Sequence, residues 1–136
     1  MTREEVVVLV QSFLKKYDVD SSPGLNKNDL GGILVDGAQL YFEYKDDLLA
    51  CSALIYRFKK TPNPKVLAAL KEEGKTSDTG GGQVDFQPEN QCVFLTRIYR
   101  TLPPPSEFLL DMQALMSASI TWHSEVMDRA FTTAQG

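Results

Sequence analysis

The chain has 136 residues, of which 43% are hydrophobic and 24% charged, and its formal net charge is −4. That size and balance describe one globular domain with a real core, not a disordered chain. A negative field repels phosphate backbones and the basic residues are scattered among acids, so a nucleic-acid partner is excluded from the reading.

No apolar run approaches the roughly 20 residues needed to span a bilayer. Val6 to Val10 is too short for a signal-peptide core, and the acids Glu4 and Glu5 precede it. Cys51 and Cys92 both fall inside apolar, strand-like runs and read as buried free thiols in a reducing compartment. The expectation is a single soluble, cytoplasmic domain over residues 1–136.

The first element is a helix. Thr2 and Glu5 stand at capping-box spacing, where each side chain satisfies a free backbone N–H of the first turn. Val6, Leu9, Val10, Phe13, Leu14 and Tyr17 then recur at helical spacing, and Lys15 and Lys16 suit the negative end of the dipole. A polar connection from Asp18 to Gly32 follows. Three strands come next. Ile33 to Val35 ends at the hairpin dipeptide Asp36-Gly37, Leu40 to Lys45 alternates, and Leu48 to Lys59 is apolar on both faces. A strand of that last kind is usually covered on both sides.

Asn63-Pro64 sets the start of a second helix, with Val66, Leu67 and Leu70 as its stripe and Gly74 at its end. Lys75 to Gly82, with three consecutive glycines, reads as a mobile linker. Two more strands follow, Gln83–Gln87 and the two-faced Gln91–Thr101. After three prolines, Ser106 and Glu107 open a last helix, whose face carries Phe108, Met112, Leu115, Ser119, Trp122 and Val126. The predicted architecture is a two-layer α+β domain, an antiparallel sheet of about five strands with elements in the order α-βββ-α-ββ-α.

The candidates for chemistry are few. His123 is the only histidine, and no acid shares its helix face at a useful spacing; it reads as a helix histidine beside a core tryptophan. Asp18 to Asp29 echoes the spacing of a calcium loop, but Pro23 stands where the sharp turn needs glycine, Asp29 stands where a longer Glu is expected, and a strand follows. Gly80 to Gly82 lacks the following helix and the lysine of a phosphate cradle. Neither a catalytic residue, a metal ligand nor a cofactor is assigned. The apolar and aromatic surplus on the strands points instead to a surface that docks a protein.

The order of elements, the segment Gly32-Ile-Leu-Val-Asp-Gly37, the strands Leu40–Tyr44 and Leu48–Ile55, and the closing helix from Phe108 through Met116 to Trp122 resemble the class I chaperones of bacterial type III secretion, the Tir-chaperone family. The long first loop and the glycine-rich stretch before the fourth strand depart from that pattern. The resemblance implies a cytoplasmic homodimer that binds the extended N-terminal segment of a secreted effector through apolar grooves and sheet edges. It places Val7, Tyr41 and Tyr44 at the partner groove, and Val66, Leu67, Leu70, Val84 and Phe86 at the dimer interface. The competing readings are an adaptor or immunity-type protein that blocks a folded partner, and an enzyme that brings Cys51, Cys92 or His123 together with an acid such as Asp36.

Overall fold

The computed structural model describes residues 1–20 and 22–135. Helix α1 (Arg3–Lys15) starts at the expected capping box, with Glu5 N–H donating to Thr2 Oγ1 and Thr2 N–H donating to Glu5 Oε1. Its stripe of Val6, Leu9, Val10, Phe13 and Leu14 is buried. Strands β1 (Leu30–Val35), β2 (Ala38–Lys45) and β3 (Leu48–Arg57) form a meander. Both hairpin turns, Asp36-Gly37 and Asp46-Asp47, take positive φ at both central residues, the left-handed geometry that matches strand twist.

Helix α2 (Pro64–Thr76) is capped by Asn63, whose side chain accepts from the Lys65 N–H. Strands β4 (Gln83–Gln87) and β5 (Cys92–Tyr99) form the second hairpin, and helix α3 (Pro105–Thr121) runs through a π-helical turn at Trp122–Val126 into α4 (Met127–Gln135). The five strands make one antiparallel sheet in the order β1-β2-β3-β5-β4. This is the predicted α+β class and element order.

All the helices pack on one face of the sheet. That face carries Leu40 and Phe42 of β2, Leu49, Cys51 and Ala53 of β3, and Leu95 of β5, all buried. Phe13 of α1 meets Phe42 and Phe108 edge-on at 5.8 Å, and Tyr99 meets Phe108 at 5.6 Å, so aromatic contacts join sheet, first helix and last helix. Such pairs add about 0.5–1.5 kcal/mol each beyond their burial.

Five expectations are corrected. Strand β1 begins at Leu30, so Gly31 and Gly32 lie within it; a side chain at Gly31 would collide with the Gly24 carbonyl. Helix α2 passes through Gly74, whose bare Cα admits the Val84 side chain from β4. Helix α3 starts at Pro105, where the missing proline N–H costs nothing.

The glycine-rich segment before β4 is built into the core and is not a linker. Gly80 is buried, its φ is +63°, and a Cβ there would strike the Ala114 carbonyl of α3. Gly80 N–H donates to Asp78 Oδ1, Gly82 N–H to the Thr79 carbonyl, and Trp122 Nε1–H to the Asp78 carbonyl. The three glycines permit that close approach.

The two-faced strands are also resolved differently from expectation. Leu48, Ala50, Ser52 and Leu54 lie only half-buried on the face of β3 away from the helices, while Leu49, Cys51 and Ala53 on the other face are buried.

Candidate functional site: an uncovered sheet face

The strand register aligns a row of residues on the face turned away from the helices. Tyr41 pairs with Ser52, Ser52 with Thr96, Ala50 with Ile98, and Leu54 with Phe94. Small side chains at Ala50 and Ser52 leave the middle of this face low, while Tyr41 and Phe94 stand beside it, their rings edge-on at 6.1 Å. The result is a concavity of about 510 Å³. Its polar floor is self-satisfied, because the Ser52 and Thr96 hydroxyls bond to each other at 2.9 Å. Ile98 is 54% exposed and Leu34, on the same face of β1, is 69% exposed. The rim carries Glu43, Asp85 and Arg57, and Arg57 Nε–H donates to the Cys92 thiol at 3.3 Å.

An apolar, self-satisfied concavity edged by charges can take up side chains of another chain. The sheet also ends in two edge strands, β1 and β4, whose outer backbone groups have no partner strand among the described residues.

The predicted partner residues are divided by the fold. Tyr41 stands on the uncovered face, 41% exposed, its hydroxyl bonded to Gln39. Tyr44 lies on the helix side of β2, half-buried, with its hydroxyl in reach of the Met1 carbonyl and the Asp47 carboxylate. Burial and Asp47 push that hydroxyl above its usual range. Val7 packs partly against the core. Of the dimer candidates, Val66 and Leu70 are buried in the protomer's own core, while Leu67, Val84 and Phe86 are only partly covered. Phe94 and Ile98 went unassigned in the sequence. Their signal was the second apolar face of the fifth strand.

The chemical candidates do not converge. Cys51 lies on the helix side and Cys92 on the uncovered side of the sheet, both buried. Burial pushes the Cys51 thiol far above its ordinary value, only partly offset by Arg97, which keeps it neutral and unreactive. His123 and Asp36 line one shallow cavity, but His123 Nδ1 lies 2.8 Å from the Ile55 carbonyl oxygen. In the Asp18–Asp29 loop, of which Ser21 lies outside the described residues, Asp29 pairs with Arg3, and Asn26 Oδ1 accepts from the Asn28 and Leu30 N–H groups. Among the described residues no group of three His, Cys, Asp or Glu side chains is placed to share a metal.

No family model matches the sequence, and no curated protein matches it. Solved structures do match in fold. A chain of the ExsC–ExsE complex superposes with a TM-score of 0.73 at 12% identity, over 90% of this chain and 94% of that one. A chain of the HopA1–SchA chaperone–effector complex gives 0.63 at 12% identity, over 90% and 98%. A chain of the ExoT–SpcS complex from Pseudomonas aeruginosa gives 0.57 at 12% identity, over 87% and 95%. At that identity the likeness is one of fold: this chain folds as those chains do, on a sequence of its own.

Proposed function

We propose that this chain is a class I type III secretion chaperone, a cytoplasmic homodimer that holds the N-terminal segment of a secreted effector in extended form. The observation that carries the reading is the uncovered sheet face, where Tyr41, Ile98 and Leu34 present apolar surface that the chain does not bury. A chaperone of this kind needs exposed sheet edges and apolar hollows and no catalytic group. The fold shared with a chaperone–effector complex supports it. The placement of Cys51 and Cys92 on opposite faces of the sheet, and the engagement of His123 Nδ1 at the Ile55 carbonyl, weigh against the enzymatic alternative.

Affinity would come from apolar burial at about 25 cal/mol per Å², reduced by the cost of ordering the effector segment. The test is capture of partners by the tagged protein in its native host, followed by truncation of whatever is retained. Retention of a secreted protein through its N-terminal segment alone, and its loss with Ile98→Asp, is the expected result. Retention of a folded domain and not an extended segment would replace this reading with the immunity-type inhibitor.

A further inference from the structure

A second apolar site lies on the helix side of the sheet, where β3 ends. Strand β3 breaks register with β5 between Leu54 and Tyr56, so Tyr56 pairs with Val93 and turns to the helix side. There it meets Phe58 at 4.9 Å and Phe131 of α4 at 5.7 Å, both edge-on. Rings that brace one another in this way hold a cage open. The cage, closed by Val66 and Ala134, has a volume of about 390 Å³. That lies within the range of about 300–1,000 Å³ typical of sites that take a small ligand or an anchor side chain.

The charge at this site is opposite to that of the chain. Lys59 and Lys60 form the lip, both are exposed, and none of the lining residues is acidic. Among the described residues neither lysine makes an ion pair. The first turn of α2 begins beside it with Lys65 and no acid, so the helix dipole adds to the positive potential. A net charge of −4 over the whole chain makes this a local reversal. An apolar cage under unpaired lysines is complementary to an apolar residue with acidic neighbours.

Resting on the chaperone reading, we propose that this pocket seats one apolar anchor of the bound effector segment, a Leu or an aromatic residue flanked by Asp or Glu. The anchor fills the cage while the carboxylates on either side reach Lys59 and Lys60. The pocket thereby selects among segments that the uncovered sheet face, whose rim carries both signs of charge in Glu43, Asp85 and Arg57, would not distinguish.

Fluorescence anisotropy of the full chain with two labelled peptides tests this, one carrying Leu between acidic residues and the other Leu between lysines. The acid-flanked peptide is expected to bind roughly tenfold more tightly, with the gap closing as salt screens it. Lys59→Glu with Lys60→Glu, both at exposed positions, should invert the preference, and Ala134→Phe, which fills the cage from its wall, should abolish binding of either peptide. Equal affinities, absence of binding, or indifference to these variants overturns the proposal. If neither peptide binds and Ala134→Phe sediments as a lighter species than the wild type, the cage is filled by a second copy and the peptide is the wrong occupant. Full-length effector retained undiminished by the double lysine variant would sink the pocket and leave the chaperone reading standing. A wild type that retains no secreted protein sinks that reading, and the effector as occupant with it.

Discussion

His123 Nδ1 lies 2.8 Å from the carbonyl oxygen of Ile55, the residue at which β3 breaks register with β5. A bulge removes a residue from the ladder and leaves its backbone groups without a strand partner. Here the histidine supplies one, from within the π-helical turn of Trp122–Val126. The wide turn and the bulge meet at this bond, and the bulge is what turns Tyr56 toward Phe58 and Phe131. The lone histidine is thus tied to backbone geometry.

His123→Ala should therefore lower stability by about 1 kcal/mol, the usual net value of one such hydrogen bond. Urea unfolding followed by circular dichroism measures it. An unchanged midpoint would mean that water replaces the imidazole at Ile55 without loss.

The glycines make a sharper comparison. Gly37 has φ +87° and nothing within 4 Å of the place a methyl group would take, so Gly37→Ala meets only backbone strain, about 1 kcal/mol. Gly80 has positive φ and also the Ala114 carbonyl in the way. Gly80→Ala should cost distinctly more, on the order of 3 kcal/mol, because strain and overpacking combine. Equal losses in thermal unfolding would show that the segment before β4 can move away from α3 freely.

What could be read from the sequence divides along a physical line. Thr2 with Glu5, Asp36-Gly37 and Asn63-Pro64 act through neighbours a few residues away, and each does in the fold what its spacing predicts. Gly80 and Tyr56 depend on partners far along the chain. The need for glycine at 80 is set by Ala114, and the facing of Tyr56 by a register shift against β5. The apolar second faces of β3 and β5 were visible as patterns, but pattern alone does not say whether a helix covers them.

Alkaline pH should destabilise the fold through two groups. The Tyr99 hydroxyl, buried and donating to Asp111 at 2.7 Å, is held well above its ordinary 10.0, by burial first and then by that carboxylate. Burial holds the Cys51 thiol above its ordinary 9.0. Both stay protonated when folded and ionise when unfolded, so their full contribution is present below pH 9 and is lost as pH rises past 9 for Cys51 and past 10 for Tyr99. Each adds a slope of about 1.4 kcal/mol per pH unit once its unfolded form ionises. Tyr99→Phe should flatten the stability curve above pH 10, and a slope identical to the wild type would refute the assignment.

The proposed dimer interface can be separated from the core on which it rests. Leu70 is fully buried within the protomer, so Leu70→Glu places an unpaired charge in the core and should leave the chain unfolded. Leu67, one turn earlier on α2, is only partly covered, and Val84 and Phe86 of β4 are likewise partly open. If α2 and β4 form the self-association surface, Leu67→Glu should keep the circular dichroism of the wild type and sediment as a monomer, because a charge on each copy would face its twin across a symmetric contact. A dimer that survives Leu67→Glu but is broken by Ile98→Asp would move the interface to the uncovered sheet face, and the effector would then have to be held by the edges and the Tyr56–Phe131 cage instead.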